Sequence, residues 1–141
     1  MAILLKVRNA QTFVDKLNGL LSKSNTGKEF NESWLMESFP NGTFYTFYSP
    51  NGVWNNKAWF RVCPDEVRKN FNQSRNTSFN LVFRLHGTKN DNMTRELFSF
   101  YHSRFVEYFL NNFIEEIKEF AIATSMEDIK DIDKFKNYDW R

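Results

Sequence analysis

The sequence predicts an α+β fold: a four-stranded antiparallel sheet of the β-meander type, with an N-terminal helix and a long C-terminal helix packed on one face. Three observations carry that expectation. The tripeptide Pro-Asn-Gly occurs twice, at residues 40–42 and 50–52, each time beside short aromatic runs. Apolar residues recur at helical spacing from Ile3 and again from Phe98. No Pro or Gly interrupts the chain between Met93 and Thr124.

Near the N-terminus, Ile3, Val7, Ala10, Val14, Leu17 and Leu21 are separated by steps of three and four. That is the stripe of an amphipathic helix, and it predicts one over residues 3–22. The alternative is a short strand, Ile3 to Val7, followed by a helix capped at Asn9. Ser22 to Lys28, with Asn25 and Gly27, reads as the loop that ends it.

The runs WLMESF, TFYTFY and KAWFRVC follow, separated by the two Pro-Asn-Gly tripeptides. Proline presets φ at the first turn position, asparagine tolerates the second, and glycine takes the left-handed conformation after it. A turn of this kind joins antiparallel strands, so the repeat is best explained as punctuation of a meander. A fourth strand is expected from Ser78 to His86, with Phe79, Leu81, Phe83 and Leu85 on one face and Asn80, Val82, Arg84 and His86 on the other. Between strands three and four, PDEVRKNF has Pro64 and two acids at its start, which suits a short helix.

The long C-terminal helix is expected to run from Met93 to Thr124. Phe98, Tyr101, Phe105, Phe109, Phe113, Ile117 and Phe120 repeat at helical spacing, and Leu97, Phe100, Val106, Leu110, Ile114 and Ala121 widen the stripe. Only a narrow polar strip remains, through Ser103, Glu107, Asn111, Glu115 and Glu119. A helix apolar over most of its circumference needs cover on more than one side. The chain is also rich in aromatics, with 16 Phe among 141 residues. Self-association is the natural outlet, so a homodimer is expected, with Phe98, Tyr101, Phe105, Phe109 and Phe113 at its interface.

The length fits one domain, placed at residues 1–124, and a C-terminal tail at 125–141 expected to dock on it. A net charge of +2 gives no field for a polyanion, so DNA is not an expected partner. The first residues are too short an apolar run for a signal peptide, and no stretch is apolar enough to span a bilayer. A soluble, cytoplasmic protein without a membrane partner is the expectation. The abundance of Phe, Asn and Lys hints at AT-rich coding DNA, hence a bacterial or mobile-element gene. Cys63 stands alone, so an internal disulfide or a Cys-rich zinc site is excluded.

Signals for chemistry are sparse. The two histidines, His86 and His102, lie in no metal-ligand spacing, and no nucleophile motif accompanies them. Neither GxGxxG nor GxxxxGK[ST] occurs, so the familiar phosphate-cradling loops are absent. No catalytic residue, metal or cofactor is assigned, and binding is favoured over catalysis. The binding candidates come from strand alternation. If Ala58, Phe60 and Val62 face the helices, then Trp59 and Arg61 face away, as do Arg84 and His86. Glu37, Tyr45 and Phe47 are expected to join them on an open face. Cross-strand packing would use that face structurally. A partner protein would use it through Trp, Tyr and Arg anchors. The function expected is therefore a non-enzymatic interaction protein of inhibitor, immunity or adaptor type, acting as a homodimer and binding another protein through the open face or the tail. The alternative is a small-molecule-binding domain with a pocket between the sheet and the long helix.

Overall fold

The computed structural model describes residues 2–26, 33–40, 42–49, 52–63, 79–87 and 94–123. The elements in chain order are β1 (Ala2–Val7), α1 (Ala10–Thr26), β2 (Ser33–Phe39), β3 (Gly42–Tyr48), β4 (Ala58–Cys63), β5 (Leu81–Gly87), α2 (Arg95–Phe113) and β6 (Ile117–Ala123). The fold is α+β, and its strands form one sheet in the order β2-β3-β4-β5-β1-β6 with every pairing antiparallel. The expected short helix at residues 64–71 and the tail at 125–141 lie outside the described residues. No helix among the described residues is long and apolar enough to cross a membrane.

The meander of β2 to β5 matches the expectation, and its first turn shows why. Phe39 pairs with Gly42, so Pro40 and Asn41 alone connect the strands. Gly42 has φ +134°, a conformation that side chains disfavour. The second repeat closes a turn in which the Gly52 N–H donates to the Ser49 carbonyl at 3.0 Å. Asn55 then clamps the longer connection, its side chain bonding both the N–H and the carbonyl of Ser49 at 2.8 and 2.6 Å.

Two elements correct the sequence expectation, and together they turn four strands into six. Residues 2–7 form a strand rather than the first turns of a helix, with α1 beginning after Asn9, which is the alternative reading of the sequence in place of the first. The Asn9 Oδ1 accepts from the Thr12 N–H at 2.9 Å and caps the helix. The side chain of Asn80 extends the β1–β5 seam, accepting from the Val7 N–H at 3.0 Å and donating to the Val7 carbonyl at 2.8 Å.

The second correction is at the other end of the chain. α2 opens at Thr94, whose hydroxyl accepts from the Leu97 N–H at 3.1 Å. It stops at Phe113 instead of continuing to residue 124. After three intervening residues the chain enters β6, which pairs with β1 from Ala2↔Ala123 to Val7↔Ile117, with an irregularity where Lys6 gives way to Val7. Ile117, Phe120 and Ala121 therefore belong to a strand and not to the helical stripe. Pairing six residues with β1 satisfies backbone groups that a longer helix would satisfy alone, so the register of β1 decides between the two.

Side chains of both helices meet strand side chains in one core cluster. It contains Phe13, Leu17 and Leu21 of α1, Leu97, Tyr101, Phe105, Phe109 and Phe113 of α2, and Ile3, Leu5, Tyr45, Phe60, Leu81 and Phe83 of the sheet. Phe105 sits at its centre, with ring centroids 4.2 Å from Trp34, 4.3 Å from Phe109 and 4.7 Å from Phe60. Each such side chain withdrawn from water contributes about 1.5–3 kcal/mol.

Candidate functional site

The alternation read from the sequence places Trp59, Arg61, Arg84 and His86 on one face of the sheet, opposite the core cluster. Cross-strand register brings them together: Trp59 pairs with His86 and Arg61 with Arg84. Phe44 lies between Glu37 and Arg61 in the same row. This face is not open, however. Trp59 is 0%, His86 1% and Arg84 4% exposed, while Arg61 and Glu37 are half-buried. Trp59 packs with Phe44 and Phe39, the Phe39 ring standing edge-on to both, 5.4 Å from Phe44 and 6.0 Å from Trp59. The burial of Trp59, Arg84 and His86 supports cross-strand packing on this face.

Burial lowers the pKa of His86 to about 3, with the positive charges of Arg61 and Arg84 adding to the effect. The ring is neutral through the ordinary pH range and does not titrate near neutrality.

Tyr45 and Phe47 are on the other side, a correction to their expected place. Tyr45 is directly opposite Phe60 and shares its face, inside the main core. Its hydroxyl donates to Asn18 Oδ1 of α1 at 2.5 Å, and burial raises its pKa.

The residues expected at a dimer interface are largely consumed by the chain itself. Tyr101, Phe105, Phe109 and Phe113 are buried in the core, and only Phe98 is half-buried. Tyr101 also has a polar task. Its hydroxyl donates to the Trp54 carbonyl at 2.6 Å and accepts from the Lys57 N–H at 3.1 Å, while Thr46 Oγ1 lies 3.3 Å away. This bond set ties α2 to the connection before β4. Tyr101→Phe is expected to lower stability by about 1–3 kcal/mol, the cost of leaving buried partners unsatisfied. A urea-unfolding midpoint unchanged from the wild type would contradict that role.

His102, beside Tyr101, is buried as well. A carbonyl can only accept, so the 2.9 Å contact between Nδ1 and the Phe98 carbonyl places the ring proton on Nδ1. The ring lies 3.9 Å from that of Phe98 and 5.1 Å from that of Phe60. Nε2 is buried without a hydrogen-bond partner. Burial lowers the pKa to about 4, against a smaller raising effect from the Phe98 carbonyl. No group of three or more His, Cys, Asp and Glu side chains among the described residues could hold a metal ion.

Among the described residues, two features at opposite edges of the sheet combine exposure or a groove with apolar side chains. The first is β6, the terminal strand beyond β1, where Phe120 is 45% and Ile122 40% exposed. They stand opposite Leu5 and Ile3, which are buried, so the apolar row of the core continues to the edge and ends in solvent. The second is a groove of about 150 Å³ between α2 and the β2/β3 edge, lined by Trp34, Phe47, Arg104, Glu107, Tyr108 and Asn111. Nothing in the sequence alone singles out Trp34, Arg104 or Tyr108. The spacing of 104, 107, 108 and 111 along one helix stripe is visible there, but its meeting with Trp34 depends on how the helix crosses the sheet.

The chain matches no protein-family model, no curated protein and no solved structure.

Proposed function

We propose that this is a non-enzymatic interaction protein that acts as a cytoplasmic homodimer, in an inhibitor, immunity or adaptor-like role, and that the two copies join through β6. The observation that carries the reading is the exposed apolar pair, Phe120 and Ile122, on a strand at the edge of the sheet. An edge strand offers a row of N–H and C=O groups to any compatible strand. A second copy brought antiparallel across a twofold axis would satisfy that row and cover both apolar side chains, giving one continuous sheet. Both helices are taken to cover a single face of the sheet, which the ring contacts of Phe13 with Phe109 and of Phe83 with Phe105 support. The interface then lies away from the phenylalanines of α2, because those are occupied in the subunit core.

Sedimentation equilibrium tests the proposal. The wild-type protein should be a dimer at micromolar concentration, and Phe120→Lys or Ile122→Lys should shift it to monomer. Both side chains are already exposed, so a lysine is tolerated by the subunit itself. A wild-type protein that stays monomeric to high micromolar concentration overturns the homodimer. Variants that remain dimeric remove β6 from it.

A further inference from the structure

Resting on the β6 dimer proposed above, we infer that its twofold axis passes at Ala121, so that Phe120 of each copy lies opposite Ile122 of the other. The hydrogen bonding of β1 shows which backbone groups β6 turns to its edge. The Leu5 carbonyl accepts from the Asn80 N–H at 3.0 Å, and the Val7 N–H and carbonyl bond the Asn80 side chain at 3.0 and 2.8 Å. Leu5 and Val7 therefore turn their backbone groups toward β5. Successive residues of a strand turn theirs to opposite sides, so Ala2, Leu4 and Lys6 point toward β6, where they pair with Ala123, Ala121 and Glu119. Phe120 and Ile122, which alternate with those three, direct their N–H and C=O groups away from β1. β6 is the terminal strand among the described residues, so these groups form the edge of the sheet.

The residues that offer the hydrogen bonds are thus the ones with exposed apolar side chains. Residues directly opposite each other in an antiparallel pair share one face of the sheet, which leaves three registers that engage both side chains. With the axis at Phe120, that ring meets its own copy, and Ile122 is set against Lys118. With the axis at Ile122, Phe120 falls beyond the last residue of β6. With the axis at Ala121, Phe120 meets Ile122 twice, and both pairs exchange two backbone hydrogen bonds. Aromatic against β-branched side chains is a favourable cross-strand combination. Glu119 then stands opposite Ala123 of the other copy, so no like charges meet. Ala121 opposes itself at the axis in a non-hydrogen-bonded pair, the closest approach that two strands make.

That closeness gives the test. Cys63 is the only native cysteine, so full-length Cys63→Ala protein carrying one new thiol reports a single position. Ala121→Cys, Phe120→Cys and Ile122→Cys are compared for disulfide-linked dimer under mild oxidation, with sedimentation equilibrium on the wild type alongside. At the axis two Cα atoms lie about 4.5 Å apart, inside the range a disulfide spans. One residue away the two copies of a position are displaced by about 7 Å along the strands, outside that range. Ala121→Cys should therefore cross-link at least about tenfold faster than either neighbour. Phe120→Cys mixed with Ile122→Cys should link to each other in preference to themselves. A dimeric wild type whose fastest cross-link is at Phe120→Cys or Ile122→Cys overturns the axis at Ala121 and leaves the β6 dimer standing. A dimeric wild type with no cross-link at any of the three removes β6 as the interface. A monomeric wild type overturns the dimer and this register together.

Discussion

Lowering the pH from about 7 to about 4 is expected to withdraw several kcal/mol from the stability of the fold, through two buried imidazoles. His86 and His102 have folded-state pKa values lowered to about 3 and about 4. Both would return to about 6.5 in the unfolded chain. In the interval between, the unfolded state binds more protons than the native one, so stability falls as pH falls. The contribution is complete above the unfolded value and lost progressively toward the folded values. A pKa difference of one between the two states corresponds to about 1.4 kcal/mol, so the two groups together take a large part of a typical stability of about 5–15 kcal/mol. Chemical unfolding across this pH range reads the slope directly. Surface carboxylates titrate near the lower end and add their own dependence, so the informative comparison is with His86→Phe/His102→Phe. That double variant keeps ring-sized packing and removes both titrations, and its stability should vary much less between about pH 6.5 and 4.5. A wild type with flat stability over that interval would contradict the buried, neutral state of the two rings.

The same two histidines show how far residues alone can lead. Strand alternation puts His86 on the correct face, because period two is a property of the backbone and needs no tertiary information. What alternation cannot supply is cover. Antiparallel sheets commonly leave one face wet, and that general habit suggests an open surface at Trp59, Arg84 and His86, where the chain has almost none. Tyr45 falls on the wrong side for a different reason. Its strand has to be set against β4, and one residue of register exchanges the two faces. The observed pairing of Tyr45 with Phe60 fixes the choice.

β1, which the sequence offers only as the alternative to a longer helix, is obscured by its own burial, and β6 is obscured by a helical count that continues from α2. In β1, Ala2, Leu4 and Ile3, Leu5 point to opposite faces and all are buried, so the run AILLKV has no alternation to betray a strand. Ile3 and Val7 stand four apart, a spacing that is also even, and the helical stripe of α1 absorbs them. At the other end, IKEFAIA has no glycine or proline before it, and its apolar positions continue the helical count by coincidence. Only pairing with β1 separates β6 from α2. The meander of β2 to β5 is legible because Pro-Asn-Gly acts through local φ preferences that no distant contact needs to confirm. The groove is not, since it combines a helix stripe with two strand side chains that sequence distance keeps apart.

Phe105→Ala should cost about 3–5 kcal/mol. The ring is fully buried and touches five aromatic neighbours: Trp34, Tyr45, Phe60, Phe83 and Phe109. Its removal leaves a hole walled by rigid rings on both the sheet side and the helix side. Rings cannot collapse as readily as methionine or leucine side chains, so the cavity part of the loss should be near the upper end of its usual range. At roughly 3 to 5 °C per kcal/mol for a chain of this length, the melting temperature should fall by about 10–20 °C. Varying the protein concentration then separates a core role from an interface role. A residue of the subunit core destabilises each copy independently, so the drop should be the same at low and high protein concentration. A residue at a subunit interface would instead make the midpoint of the wild type, and not that of a dissociated variant, rise with concentration. A loss that grows as the protein is concentrated would therefore return Phe105 to an interface between copies, and with it the phenylalanine stripe of α2. A constant loss leaves β6, with Phe120 and Ile122, as the apolar row that a second copy can cover.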